Sequence, residues 1–212
     1  MSIWSLYDWE RVKPVLPSEA DIETGDITVA PHKPSGVKGL VSLLLRRSAR
    51  GFTQRALGAG LLSDLLSQLQ KSADFPWLSV RICVQRAEDV SPGIYLWQEG
   101  YFRGVRQGVF DVGPIVQKQW WVNGGGISLF LCVDWKAASL DLSGSQGYHS
   151  VWLILGQICQ HLVQWSCEHD LGTRMTPAIS ESLAREILGI EEKTQDAAYF
   201  LRIGYAIPEQ PS

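Results

Sequence analysis

No run of this sequence is apolar enough for long enough to cross a bilayer. The best candidate, Leu142–Cys167, carries no formal charge, but Gln, His and Ser interrupt it throughout. A basic excess is also missing. The net charge of −3 gives no global field to recruit nucleic acid. The opening Met1-Ser2-Ile3-Trp4, followed by Asp8 and Glu10, has no basic region leading into an apolar one, so no secretory signal is read there. The four cysteines, Cys83, Cys132, Cys159 and Cys167, form no CxxC pair. Reduced, buried thiols in a cytoplasmic chain are expected. There is no P-loop and no dinucleotide fingerprint. Neither His32, His149, His161 nor His169 sits in a motif of the hydrolase kind. Internal repeats and low-complexity tracts are absent as well.

What is present is a substantial apolar complement. With 212 residues, 45% of them hydrophobic, the chain can bury one sizeable core. Nine tryptophans are many for this length; some must lie inside, and others could line an interface or a flat ligand site. Residues 1–38 hold Pro14, Pro17, Pro31 and Pro34 without sustained periodicity. They read as an extended arm with one short helix near Asp8–Lys13, laid on the rest of the protein or on a partner chain. The remainder, 39–212, reads as one domain. Val37–Arg47 and Leu57–Lys71 read as helices, the second from Leu61, Leu62, Leu65, Leu66 and Leu69. Ser79–Arg86 alternates as a strand does. Pro92-Gly93 turns into Ile94–Trp97, and Gln98-Glu99-Gly100 turns again into Tyr101–Arg103, which is hairpin chemistry. Phe110–Trp121 is expected to be helical despite Pro114. After the break at Asn123–Gly126, Ile127–Trp135 is apolar without alternation, as in a strand buried on both faces. Tyr148–Asp170 is the longest predicted helix and is apolar nearly all round, so it is buried, in part by a subunit interface. Gly172 is expected to cap it. A short helix over Ser180–Leu188 and a last strand over Ala197–Ile207 complete an α+β order, with helices wrapped around a sheet.

Chemistry concentrates at Arg46-Arg47-Ser48-Ala49-Arg50, directly after the apolar Leu43-Leu44-Leu45. Arginine presents a rigid, permanently charged fork that suits phosphate, and a hydroxyl between two forks can donate to a further oxygen. Cations also favour a helix C-terminus, so a solvated helix end is the other reading. Cys159, His161, Cys167 and His169 repeat Cys-x-His, but on one helix residues two apart point about 200° apart and eight residues rise about 12 Å. Such positions cannot meet at one ion, and no metal is expected. Gly124-Gly125-Gly126 precedes a strand rather than a helix, so it reads as a turn and not as a phosphate cradle. Tyr148 and His149 stand at a helix start, where Tyr148 is a candidate proton donor and ordinary packing is the alternative.

Taken together, several segments resemble the nitroreductase superfamily, and within it the SagB-type dehydrogenases that include FMN-dependent azoline oxidases. Leu43–Phe52 is similar to the family's Arg-Arg-Ser-x-Arg-x-Phe stretch, and Leu57–Leu69 to the helix that follows. Ser91–Trp97 is similar to its Pro-Gly-(apolar)-Tyr hairpin. Gln146-Gly147-Tyr148 and Gly156–Leu162 are similar to its long central helix, and Arg202-Ile203-Gly204-Tyr205 to its closing strand. The resemblance implies a nitroreductase-like antiparallel or mixed sheet wrapped by helices, in a dimer in which both chains build each site. It implies FMN as cofactor, with Arg46, Arg47, Ser48 and Arg50 on the phosphate and ribityl end. Thr176, Pro177 and Ala178 would lie near the isoalloxazine ring. The activity implied is an FMN-dependent oxidoreductase that dehydrogenates a peptide or a small biosynthetic intermediate. The active-site wording is altered, however. Ser72–Trp77 stands before the first strand in place of a Pro-Ser-rich loop, and Leu142–Ser145 lacks the Lys-Tyr pair of the azoline oxidases. A second reading is therefore a member that keeps the fold without catalysis and serves as a binding or scaffolding subunit. It would act as a homodimer or paired with a paralogue.

Overall fold

A computed structural model describes residues 46–142, 147–191 and 193–208. The arm over 1–38, its short helix and most of the helix expected over Val37–Arg47 lie outside those residues. Six strands form one sheet, all neighbours antiparallel: β1 (Leu78–Arg86), β2 (Gly93–Gln98), β3 (Tyr101–Gln107), β4 (Gly126–Asp134), β5 (Gly172–Thr176) and β6 (Gln195–Gly204). Their order across the sheet is β3-β2-β1-β4-β6-β5. Among the described residues four α-helices accompany them: α1 (Leu61–Ser72), α2 (Trp135–Asp141), α3 (Gly147–Glu168) and α4 (Glu181–Leu188).

The sheet is covered on both faces, and side-chain alternation sorts residues between the two cores. Val80, Ile82 and Val84 of β1, Ile127, Leu129, Leu131 and Val133 of β4, and Leu201 and Ile203 of β6 pack with α1 and α3. Cys83, Phe130, Cys132 and Phe200 turn the other way, against Val112, Ile115, Val116, Trp121 and the apolar side of α4. A strand with apolar partners above and below shows no alternation, which explains the wording of Ile127–Val133. The hairpin between β2 and β3 closes through Glu99 at φ 50 and Gly100 at φ 83. Two positive φ values in a two-residue loop match the right-handed twist of the flanking strands.

The elements differ from the sequence reading in five places. Phe110–Trp121 is not a helix. Gln117 and Lys118 take φ 56 and 58, and the chain makes turns that end in a short 3-10 segment, Trp120–Val122. The apolar residues at 112, 115 and 116 imitate helical spacing because they dip into the second core from successive turns. Arg46 and Arg47 are not helical either. Leu57 precedes α1 and instead bridges Ala87 beside β1. Trp135, placed in a strand from sequence, begins α2, because the Asp134 carboxylate accepts from the amides of Lys136 at 3.0 Å and Ala137 at 3.1 Å and caps a helix there. Finally, Gly172 does not cap α3. Asp170 takes the left-handed conformation at φ 56, and Gly172 opens β5, an edge strand not foreseen.

A polar seam joins α1 to α3. Asp64, almost fully buried, accepts from Trp165 Nε1 at 2.8 Å and Gln68 Nε2 at 3.3 Å, and His169 Nε2 lies 3.4 Å from it. His161 Nε2 is 3.2 Å from Gln68 Oε1. His161 and His169 are thus absorbed by a helix–helix contact. Among the described residues no three His, Cys, Asp or Glu side chains converge as metal ligands would, and no helix there is long and apolar enough to cross a membrane.

Burial, and then the nearby Lys71, pull the His161 imidazole below its ordinary value of 6.5, while Glu168 opposes them. The unfolded chain therefore binds more protons at this position than the folded one below about pH 6.5. Stability attached to His161 is present above that value and lost as the pH falls through it. His161→Gln should lose less melting temperature than the wild type between about pH 7.5 and about pH 5.5. Equal losses, measured by thermal melts in matched buffers, would refute this account.

Candidate functional site

The arginine segment is fixed by its backbone, and its side chains are left outside. Ala49 donates its amide to Thr173 O of β5 at 3.0 Å, and Ile207 donates to Gly51 O at 3.0 Å. Phe52 bridges Ala206, and Thr53 donates to Tyr205 O at 2.8 Å. On the opposite side Gly125 donates to Thr53 O at 2.7 Å. Residues 49–53 thus lie in a slot between the Gly124-Gly125 turn and the chain leaving β6. Arg47, Ser48 and Arg50 are exposed and Arg46 half-buried, while Ala49 between them is buried. A buried alanine flanked by outward polar residues is an anchored ribbon, not a solvated helix end.

The slot needs two glycines. A Cβ on Gly124 would stand 2.7 Å from Phe52 O, and its φ of 130 is one that L-residues rarely adopt. A Cβ on Gly125 would overlap the carbonyl oxygen of Arg55. The glycine run is a turn, as its sequence context suggested, and it exists so that two backbones can approach.

More cationic and apolar groups gather around the segment. Arg174 of β5 donates from Nη1 to Ala49 O at 3.3 Å, and its guanidinium sits 4.7 Å from the Trp121 ring centroid. Arg46 is close enough to Cys167, near the end of α3, to act on its thiol; burial raises that thiol and Arg46 opposes the rise. Trp120, 68% exposed, and Ile207, 50% exposed, flank Gly51, so that a Cβ there would meet them at 3.3 and 3.0 Å. Exposed guanidinia beside uncovered apolar surface suit a ligand with an anionic end and a flat apolar body.

Thr176, Pro177 and Ala178 stand at the other end of β5. Thr176 is paired with Phe200, and its Oγ1 accepts from Ala178 N at 3.1 Å, which turns the chain toward α4. At about 3.4 Å per strand residue, Thr176 lies about 10 Å along the sheet from Thr173, where the arginine segment is docked. The two predicted groups are therefore separated by one short strand. Tyr148 is elsewhere. It stacks on Trp135 with ring centroids 5.6 Å apart and meets Trp152 edge-on at 5.9 Å. With about 1.5 Å of rise per residue, the nineteen steps to Cys167 put it about 28 Å from the α3 end that faces Arg46. Within one chain Tyr148 is a packing residue.

Comparison with known proteins agrees with this architecture. No protein-family model matches the sequence, and no curated protein matches it. Solved structures do. A protein of Anabaena variabilis assigned as a nitroreductase superposes with a TM-score of 0.70 at 19% identity, over 80% of this chain and 38% of that one. Another so assigned, from Ralstonia eutropha, gives 0.68 at 18% identity, over 93% of this chain and 98% of that one. The NADPH:FMN oxidoreductase of Vibrio harveyi, solved with NAD+, gives 0.58 at 13% identity, over 82% and 73%. The fold is that of the nitroreductases. At these identities the likeness is one of backbone architecture, and this chain spans well under half of the Anabaena protein.

Within the nitroreductase fold one residue stands out that sequence reasoning quoted only as part of the closing strand. Arg202 of β6 is fully buried. Its Nη1 donates to Gln85 Oε1 at 2.6 Å and to Ser128 Oγ at 3.2 Å, and its Nη2 to Gly124 O at 3.0 Å and to Gly125 O. An arginine inside the apolar run Ala197–Ile203 was the available signal, since such residues are almost never fully buried without a reason. Burial pulls its guanidinium down to about 10, and Cys83 acts against that; it remains a cation at neutral pH. The Cys83 thiol, pushed up to about 12 by burial, is neutral there and is no counter-ion.

Gly124→Ala and Gly125→Ala should each destabilise the fold by about 1–3 kcal/mol, because backbone cannot yield as a flexible side chain can. For a chain of this size that is a fall of about 2–12 °C in melting temperature. Calorimetry decides it, and unchanged melting would show that the slot is not closed as described.

Proposed function

We propose that this chain is an FMN-dependent oxidoreductase that dehydrogenates a peptide or a small biosynthetic intermediate, in the manner of the SagB-type branch. The observation that carries the reading is the anchored arginine ribbon: Arg47, Ser48 and Arg50 project from a backbone pinned at Ala49 and Gly51, on a fold shared with an FMN oxidoreductase. The residues present fit the cofactor. Arg46, Arg47, Ser48 and Arg50 would hold its phosphate, and the uncovered Trp120 and Ile207 supply apolar surface beside it. Thr176, Pro177 and Ala178 stand one strand length away, on the scale that separates a flavin ring from its phosphate. When bound, FMN supplies the hydride acceptor. The chain's own task is to bind, orient and exclude water.

A dimer belongs to the same proposal. Leu153 of α3 is 74% exposed and lies on a face with exposed Gly156, Gln157, Gln160 and Gln164. A second copy, or a paralogue, seated on that face would cover it. Tyr148 could reach a flavin only from such a partner, so its role as proton donor is tied to the dimer. One observation favours the second reading, a scaffolding subunit without catalysis: Tyr148, the one acid–base candidate, is packed between Trp135 and Trp152.

The purified protein should show flavin absorbance between about 300 and 550 nm, or regain it after FMN is added and the excess removed. The double variant Arg46→Ala, Arg50→Ala should weaken FMN binding by about 10- to 100-fold, the worth of two partly exposed charge-assisted contacts. A wild-type protein that stays colourless and releases added FMN would overturn the oxidoreductase and leave the scaffold.

A further inference from the structure

Arg202 has an unusual balance. All of its hydrogen-bond partners among the described residues are neutral: an amide oxygen, a hydroxyl and two backbone carbonyls. Its Nε, also buried, has no hydrogen-bond partner among the described residues. A buried cation without an anion is costly, and a residue kept only to fill the sheet would not need charge. What the guanidinium provides is a planar fork whose two ends donate in different directions. One end fastens it to β1 and β4 through Gln85 and Ser128. The other grips the Gly124 and Gly125 carbonyls.

The grip is transmitted outward. With both carbonyls turned inward to Arg202, Gly125 N faces Thr53 O at 2.7 Å. The Phe52 ring, itself buried, lies 5.2 Å from the guanidinium carbon, close enough for a cation–π contact. Phe52 and Thr53 are in turn held from the other side by Ala206 and Tyr205. Three residues before Thr53, the same ribbon presents Arg50. A continuous chain of contacts therefore runs from a cation inside the sheet to the cations outside it.

We infer that Arg202 is a positioning residue: it sets the Gly124-Gly125 turn and, through Phe52 and Thr53, fixes the ribbon that presents Arg46, Arg47 and Arg50 to a phosphate. The inference rests on the proposed flavin site for its purpose, but the clamp itself does not. Lysine at this position would keep the charge without the fork. Methionine would leave two buried carbonyls without donors.

Two readouts test it on the full-length protein. Amide hydrogen exchange in Arg202→Met should rise at Thr53 and Gly125 by about tenfold or more over the change at Ile82 of β1, the mark of a local opening and not of global loss. Binding of FMN should fall by about tenfold while binding of riboflavin, which lacks the phosphate, holds, because only the phosphate contacts depend on the ribbon. Arg202→Lys should fall between wild type and Arg202→Met. Should Arg202→Met fail to fold, Gln85→Met removes one anchor of the fork and should produce the same pattern in weaker form. Exchange that rises equally at Thr53 and Ile82 would overturn the inference. So would FMN and riboflavin affinities that fall together, since that is what simple destabilisation gives. A wild type that holds no FMN, with the local exchange difference still present, would leave the clamp standing and remove the flavin function alone.

Discussion

Every layer of this protein bears on β4, whose inner residues have no solvent on either side. Eight of its nine residues are buried, with β1 and β6 hydrogen-bonded along its edges and a separate core on each face. Full burial of one Leu or Ile side chain stabilises by about 1.5–3 kcal/mol, so this one strand anchors more burial than any of the short helices can. It also dictates what its neighbours must be. Residues facing α1 and α3 have to be branched and aliphatic, because two helices lie close over them. The opposite face is closed by turns together with α4, which leave irregular space, and there Phe130, Phe200 and Trp121 interlock with centroid distances of 4.8 and 5.8 Å.

The legibility of the fold in the sequence follows from that division. Elements on the helical side were readable because their partners are regular: α1 and α3 carry apolar residues at helical spacing, and β1 alternates over them. On the other side α4 was readable too, but the turns were not. Val112, Ile115 and Val116 have helical spacing yet are delivered by consecutive turns, since a surface closed by turns takes apolar residues wherever the chain dips. Asp134 ended a strand and began a helix through one carboxylate that accepts two amides, a local event that no periodicity announces. β5 was missed because five residues on a sheet edge, two of them threonine and one glycine, have too little apolar wording to declare a strand. The Gly172 and Asp170 exchange has a simple cause as well. The left-handed residue that ends α3 needs only a short polar side chain, and aspartate tolerates that conformation.

The site divides in the same way. The exposed arginines were visible because three permanent charges in five residues are rare and have few uses. What holds them was invisible. Slots of this kind are built from backbone atoms, and the amides of Ala49, Thr53 and Gly125 meet their acceptors whatever side chains those residues bear. Only the glycines leave a trace, and a triplet of glycines reads as a flexible turn until a second backbone is seen against it. Tyr148 shows how sequence hides packing. A tyrosine at a helix start near a proposed cofactor invites a chemical role, yet a neighbouring Trp135 and Trp152 give its ring a packing role that needs no chemistry.

Buried and exposed arginines of this protein differ in kind in their energetics. An exposed guanidinium costs little to keep and is worth little until a phosphate arrives; surface ion pairs contribute about 0–1 kcal/mol. Arg202 carries the reverse balance. Its desolvation costs several kcal/mol in general terms, and the four neutral acceptors it satisfies recover that cost only when all are in place. Such a cluster is therefore all-or-none. It fixes one arrangement of the Gly124-Gly125 turn and excludes nearby ones, because any slippage leaves a charge and several carbonyls unsatisfied in the interior. Along the ribbon itself, buried Ala49 and Phe52 already set the register, since a slip of one residue would turn them outward. A turn gripped by a buried cation is held in one place, and the backbone seated against it at Phe52 and Thr53 is held with it.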